Sequence, residues 1–288
     1  MSDVTLVLRT RTSLPELWPL LDGIASQRLK PRRIVVVDSG SSADVLARLY
    51  VAVVSGWEGI PLKLIEIDPS AYGSAHALNV GMQAVETPLA AVLSQDAQPA
   101  DDGYLEALAT AMEDPGRAGC YGRQVPRGDC DPWTARDLEA TYGPESKDQS
   151  APDCWFVNTC SMIRRELWER FPFDEQAGIV EDHAWARDVQ QAGYRVRYVA
   201  EAVVRHHHDH RELAALWQRF RDEGAGLRQV HGRRTGVWAA LTGSAREAGR
   251  DVAMLAKRGE LKRAPRAALR RAVKHGALYW GGRREDQP

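Results

Sequence analysis

Residues 34–38, Ile-Val-Val-Val-Asp, form an unbroken apolar run that ends on a carboxylate. A strand with one face in water alternates apolar and polar residues. An unbroken run instead fits a strand covered on both faces, as in a parallel sheet flanked by helices. The neighbouring segments repeat the theme. Val4–Leu8, Leu62–Ile67 and Leu89–Leu93 are short apolar runs of strand formers. Between them, residues 15–27 carry Leu17, Leu20, Leu21 and Ile24 at helical spacing, with Pro15 early and Ser13 as a cap. Asp44–Val53 and Ala75–Val85 are the next helices. Strand and helix in alternation predict an α/β fold with a doubly wound, mostly parallel sheet and right-handed crossovers. Ligands bind in such folds beyond the carboxyl ends of the strands. Thr10-Arg11, Asp38-Ser39-Gly40, Asp68 and Asp96 each follow a strand, so they are expected along one rim.

Past residue 100 the signals change. Residues 124–153 are rich in Pro, Gly and charge and read as a surface excursion or lid. Trp155–Arg165 reads as a strand and turn, and Leu167–Phe171 as a short helix. Glu181–Ala192 reads as a helix stopped by Gly193, and Arg195–Ala200 as a strand. His206–His210 is a polar knot before a helix carrying Leu213, Leu216, Trp217 and Phe220 at i, i+3, i+4 and i+7.

The last 60 residues look helical and rich in Ala and Arg. Leu269, Val273, Gly276 and Trp280 fall on one stripe, with Arg270, Arg271 and Lys274 opposite. Charge is uneven. Residues 257–288 hold ten Lys/Arg and three Asp/Glu, or +7, against a total of −1, so the rest of the chain carries −8. An acidic body with a basic tail points to an anionic partner for the tail and does not make the chain a nucleic-acid binder. No run of about 18 apolar residues exists to span a bilayer, and the first residues show no signal-peptide pattern. The four cysteines, at 120, 130, 154 and 160, match no zinc or redox spacing and read as reduced thiols.

Several chemistries lack their motifs. There is no G-x-G-x-x-G after the first strand, no P-loop lysine and no G-x-S-x-G elbow. What remains are carboxylates at strand ends and a histidine cluster. Asp96, with Pro99 fixing its loop, suits a divalent ion carrying a diphosphate, and equally suits a solvated loop. Glu181-Asp182 stands at a helix entry, where unpaired N–H groups favour anions whether or not they react. His206, His208 and His210 share a face if extended and, with Asp209, suit a divalent metal; the same cluster also reads as a surface knot. Trp155, Trp185 and Trp217 are core residues or sugar-stacking platforms, Trp155 being the first choice as a platform. His183 is either an acceptor contact or a helix-surface residue.

The order of these pieces resembles the inverting nucleotide-sugar glycosyltransferases of family 2, with the GT-A fold, and within them the rhamnosyltransferase-like branch. The pieces are VTLVLRTRTSLPELWPLLDGIASQ, RRIVVVDSGSSAD, YGSAHALNVGMQ, LSQDAQP, FVNTCSMIRRELWERFPFDE and EDHAWARDVQQAGYRVRYVAEAVVRHHHD, over roughly residues 3–225. The resemblance implies that Thr10, Arg11, Asp38 and Ser39 hold the nucleoside, with Asp38 accepting from a pyrimidine N–H. Gly73, Asn79, Gln95 and Asp96 complete the donor site. Asp96 matches the last carboxylate of the family's D-x-D motif, and Ser94 stands where the first is usual. Asp182 is the implied general base. Asp96, His206 and His208 are the implied contacts of Mg2+ or Mn2+, and Trp155, Glu181 and His183 of the acceptor.

The expected organisation is a GT-A-like catalytic domain over 1–210, divided into a nucleotide-sugar half (1–100) and an acceptor half (101–210), then a helical basic extension over 211–288. The expected donor is a dTDP- or UDP-sugar such as rhamnose. The acceptor is a hydroxyl of a glycan, a lipid-linked or a small molecule. The reading places the chain in the cytoplasm, and at the inner face of the membrane if residues 257–288 engage lipid; that tail equally suits a helix packed on its own domain. Homo-oligomerisation stays open. Two rival readings are a non-catalytic nucleotide-sugar or glycan binder and a sugar-phosphate nucleotidyltransferase. The second expects an early Gly-rich loop, and residues 9–16 contain no Gly.

Overall fold

The computed structural model describes residues 3–11, 15–206, 212–232 and 234–283. The elements run β1 (Val4–Thr10), α1 (Leu17–Ala25), β2 (Arg33–Asp38), α2 (Ala43–Ser55), β3 (Leu62–Glu66), α3 (Ser74–Gln83) and β4 (Leu89–Ser94). There follow β5 (Gln98–Pro99), α4 (Tyr104–Ala111), β6 (Arg117–Val125), α5 (Pro132–Thr141), β7 (Lys147–Gln149), β8 (Cys160–Arg164), α6 (Arg165–Arg170), α7 (Glu181–Gln191) and β9 (Arg195–Arg205). Helices α8 (Leu213–His231), α9 (Val237–Lys257) and α10 (Ala264–Gly281) close the series. No helix among the described residues is long and apolar enough to cross a membrane.

The chain forms two compact units. One comprises Met1–Asp129, Leu138–Gln176 and Glu181–His207; the other comprises Cys130–Asp137, Ala177–Val180 and His208–Pro288. The first is built on one sheet in the order β3-β2-β1-β4-β8-β6-β9-β5, with β7 on β9. Strands β3, β2, β1 and β4 are parallel, as the apolar runs require. Ile34, Val35, Val36 and Val37 are all buried, because helices cover both faces. On one face Leu20, Leu21, Ile24, Leu105 and Leu108 pack on Leu6, Leu8 and Val36. On the other, Leu78, Met82, Trp168 and Trp185 pack on Val7, Val92 and Ile163.

The second half of this sheet is mixed. Strand β8 runs antiparallel to β4 and β6, while β9 runs parallel to β6. Strand β6 has no clear signature in the sequence, because its RAGCYGRQV interrupts the apolar pattern with two glycines. Gly122 is required there: a β-carbon would lie 2.4 Å from the carbonyl oxygen of Ala202, where the pairing with β9 slips register. Residues 124–153, expected as an irregular lid, instead contain α5 and β7, and Trp133 within them is buried. Cys120, Cys154 and Cys160 are buried and Cys130 is half-buried.

In the second unit, α10 packs on α8 and α9. Its amphipathic order is the reverse of the ordinary one. Arg270 and Arg271 are buried, whereas Leu269 is 50% and Trp280 60% exposed. Arg271 donates from Nε to Asp251 Oδ2 at 2.6 Å and pairs with Glu247 at 2.9 Å. Arg136 meets the fully buried Asp251 at 2.7 Å, and Lys274 meets Glu247 at 3.0 Å. The sequence separates the two faces of α10 correctly. What turns the basic one inward is the pair of acids on α9.

Candidate active site

Strand direction alone assembles the site. β1, β2 and β4 end at one edge of the sheet, β8 begins there, and β6 and β9 end there. The register pairs Thr10 with Asp38, Arg9 with Ser94, Leu93 with Cys160 and Val125 with Arg205. Asp38, Asp96 and the segment before β8 therefore share a rim, the crevice where open α/β sheets bind ligands.

The floor of the rim is a saturated carboxylate. Asp38 is 1% exposed and accepts hydrogen bonds from the Thr10 hydroxyl at 2.6 Å, the Gly40 amide at 3.1 Å and the Ser41 amide at 3.0 Å. The Ser41 hydroxyl is a fourth donor. Gly40 allows this turn with φ +95°. Its acceptor positions serve the Thr10 hydroxyl and its own loop. Thr10 and Ser39 are buried beside it, with the Ser39 amide donating to the Thr10 carbonyl at 3.0 Å. These three residues lie together where β1 and β2 end.

Gln95 clamps the end of β1 from β4. Its Nε2 donates to the Arg11 carbonyl at 3.0 Å and its Oε1 accepts from the Arg11 amide at 3.2 Å. Arg11 itself is exposed and lies over the Tyr72 ring, 4.5 Å from its centroid. Gly73 follows Tyr72 and is the N-cap of α3. Asn79, expected in the donor pocket, is a structural tie. It donates to the Phe173 carbonyl at 2.9 Å and to Glu175 at 3.1 Å, and accepts from Trp168 at 3.0 Å and the Phe173 amide at 3.1 Å. Its amide has nothing left for a ligand.

The adjacent acids at the start of α7 take different places. Glu181 is buried, accepts from the Ser74 hydroxyl at 2.5 Å and lies 3.7 Å from Arg9. Arg9 also donates to the Ser74 hydroxyl. Glu181 thus anchors α7 to β1 and α3. Asp182 is half-buried and accepts from the His183 amide at 2.9 Å and the Asn158 amide at 3.3 Å. Burial raises its carboxyl well above the ordinary value, the Glu181 charge adds to this, and the two amides and Arg9 offset only part. Next to Asn158, Thr159 accepts from the Ser94 amide at 3.0 Å, two residues before Asp96. One continuous bonded path therefore links the Asp182 carboxylate to the Asp96 loop.

Asp96 Oδ2 lies 3.5 Å from Nε2 of the buried His206. The opposite ring nitrogen, Nδ1, is 2.8 Å from Gln124 Oε1, and Gln124 Nε2 donates to the Tyr142 hydroxyl at 2.8 Å. An amide oxygen only accepts, so Nδ1–H donates to Gln124, and Nε2 is the ring nitrogen turned toward Asp96. Arg127 stands beyond the end of β6. Burial lowers its guanidinium pKa, and Asp129, Glu16 and Asp96 more than offset that. His208 lies outside the described residues. Among the described residues no three His, Cys, Asp or Glu side chains are placed to hold a metal by themselves.

Trp155 is exposed and meets the His183 ring edge-on, with centroids 4.9 Å apart. His183 is buried beneath it, and Trp185 is core. The sequence reading passed over Arg9, Ser74, Gln124, Tyr142, Asn158 and Arg127. Arg9 carried a signal, being a charge inside an apolar strand, whose neighbours Leu8 and Thr10 are buried. Gln124 and Asn158 carried none, because their partners lie 18 and 24 residues away.

Comparisons with known proteins agree with this geometry. Residues 5–171 match the family described as Glycosyl transferase family 2. The O-antigen chain rhamnosyltransferase RfbN of Salmonella typhimurium is 30% identical over 231 residues, covering 77% of this chain and 71% of that protein. WbaN of Salmonella anatum, also an O-antigen chain rhamnosyltransferase, is 27% identical over 237 residues, covering 78% and 72%. Among solved structures, the mannosyltransferase PcManGT from Pyrobaculum calidifontis, in complex with GDP-Man and Mn2+, superposes with a TM-score of 0.69 at 18% identity. That alignment covers 97% of this chain and 85% of the other. Glucosyl-3-phosphoglycerate synthase from Mycobacterium tuberculosis, with Mn2+, UDP and phosphoglyceric acid, gives 0.56 at 18%, covering 78% and 77%.

Proposed function

Because the chain belongs to glycosyl transferase family 2, and to its rhamnosyltransferase-like branch, we propose that this glycosyltransferase moves rhamnose from a dTDP- or UDP-linked donor to a hydroxyl of a growing glycan, inverting the anomeric carbon. The observation that carries this is the bonded path from Asp182 through Asn158, Thr159 and Ser94 to the Asp96 loop. That path joins two carboxylates on one rim, and this supports a reading in which one takes a proton and the other, through a divalent ion, meets a diphosphate.

Asp182 takes the proton of the acceptor hydroxyl. The new bond forms from that oxygen to the anomeric carbon as the bond to the diphosphate oxygen breaks, with the electron pair leaving on the diphosphate. One base and one displacement give inversion. Glu181, tied to Ser74 and Arg9, fixes the helix that carries Asp182. Arg11 offers cationic charge at the rim, and Trp155 an aromatic face for a sugar ring.

A divalent ion, Mg2+ or Mn2+, fits the residues present. Asp96 Oδ2 and His206 Nε2 are 3.5 Å apart, a separation that two ligands at about 2.1 Å from one ion can span. Such ions take few protein ligands and complete their shell with phosphate oxygens and water. When bound, the ion stabilises negative charge on the leaving diphosphate. The test is thermal shift with dTDP, UDP and GDP, each with and without Mn2+ or Mg2+, followed by transfer from the matching sugar nucleotide. A metal-dependent shift with dTDP or UDP supports the reading. No shift with any nucleotide contradicts it.

A further inference from the structure

The antiparallel pair α9 and α10 presents an apolar surface that no described residue covers. Trp238 is 76% exposed, and Leu241, Val252, Leu269 and Trp280 are exposed with it. On α9, positions 238, 241, 245, 248 and 252 recur at helical spacing and are all apolar, which makes one continuous stripe. The register is set by Gly243, whose added β-carbon would lie 2.7 Å from the His275 ring, and by Glu247 against Arg271. That register brings Trp238 and Trp280 to the same end of the hairpin. Exposed Trp and Leu on one face of a helical pair call for a partner.

Charge identifies the partner. The acids of residues 237–283 are Glu247, Asp251 and Glu260. Glu247 and Asp251 are turned inward onto Arg271, Lys274 and Arg136, and Glu260 pairs with Arg263 at 2.6 Å. The outward charges flanking the stripe are Arg246, Arg250, Lys257, Arg258 and Lys262, all exposed. A second copy of this chain would bring two such positive surfaces together. A polyanion such as RNA would leave the tryptophans and leucines without a role. We infer that the α9–α10 face lies on an anionic lipid surface, with Trp238, Leu241 and Trp280 entering the interface and the basic residues meeting the headgroups.

This inference is independent of the rim chemistry, and its experiment keeps the two apart. Vesicles of phosphatidylcholine with phosphatidylglycerol, and of phosphatidylcholine alone, are sedimented with the full chain at low and high salt. The expected result is binding to the mixed vesicles only, weakened by salt, with tryptophan emission quenched by brominated phosphatidylglycerol. The combined Trp238→Ser, Leu241→Ser, Trp280→Ser variant is expected to lose at least tenfold in vesicle affinity. Each of Arg246→Gln and Lys257→Gln is expected to lose about fivefold. Because these side chains are exposed, the melting temperature and nucleotide binding stay at the wild-type level. Wild type that stays in the supernatant overturns the inference. So does a triple variant that binds vesicles undiminished, which would mark a site for polyanions. So does a wild-type dimer that the triple variant converts to monomer, which would assign the face to a second copy.

Discussion

Gln124 Oε1 and His206 Nδ1 lie 2.8 Å apart, on the opposite edge of the imidazole from Asp96. A buried amide, itself held by Tyr142, thus faces Nδ1 and leaves Nε2 as the nitrogen turned toward Asp96.

Removing that amide tests the arrangement. Gln124→Leu leaves the ring without its acceptor, and about 10- to 100-fold weaker Mn2+ binding in the presence of nucleoside diphosphate is expected. Gln124→Glu, which restores an acceptor for Nδ1–H, should recover most of the affinity. Calorimetric titration reads both. Equal affinity in the leucine variant and wild type would remove Gln124 from this role.

With Asp182 as the proposed base, its raised carboxyl should make transfer pH-dependent. Only the ionised form accepts a proton. Turnover under donor saturation should therefore climb as pH rises through a value above the ordinary carboxylate range, where a solvated aspartate would already be flat. A rate independent of pH from 4 upward would contradict this.

The same shift has a stability consequence of opposite sense. In the unfolded chain Asp182 ionises near the ordinary value of about 4, and in the folded chain only at higher pH. Between the two the folded state binds the extra proton. The stabilisation it gives is complete below the unfolded value and is lost as pH rises through the folded one. Melting curves of wild type and Asp182→Asn across this range should show a downward slope in the wild type that the variant flattens. Parallel slopes would mean that the carboxyl is not perturbed.

Arg271 and Trp280, nine residues apart on α10, should respond oppositely to truncation. Arg271→Ala strips a partner from Asp251, which is fully buried, and from Glu247, for a loss of about 3–5 kcal/mol in denaturant unfolding. Trp280→Ser alters an exposed side chain and should stay within about 0.5 kcal/mol. A stable Arg271 variant would place the basic face of α10 in solvent.

How far the sequence could be read follows from where each signal lies. Strand β2 and helix α1 announce themselves, because burial on two faces or one stripe leaves a local pattern. Strand β6 does not, since Gly119 and Gly122 answer to Met162, Trp185 and Ala202, all distant in the chain. At the rim, position was legible and orientation was not. Thr10, Asp38, Ser39 and Asn79 stand where a ligand site was expected; the first three bond one another and their own loop, and Asn79 bonds Trp168, Phe173 and Glu175. A strand end locates a carboxylate. Only the surrounding donors decide whether it meets a ligand or holds a turn. The same applies to α10, where the periodicity separates two faces and the acids of α9 determine which is inside.

Asp182 as the base is the central proposal to test. The measurement is transfer of rhamnose from dTDP-rhamnose to a glycan acceptor by wild type and Asp182→Asn, with dTDP affinity measured on both. Nucleotide affinity is expected to stay within about threefold while turnover falls by at least about a hundredfold, the lower bound for losing a general base. Undiminished turnover in the variant would contradict it.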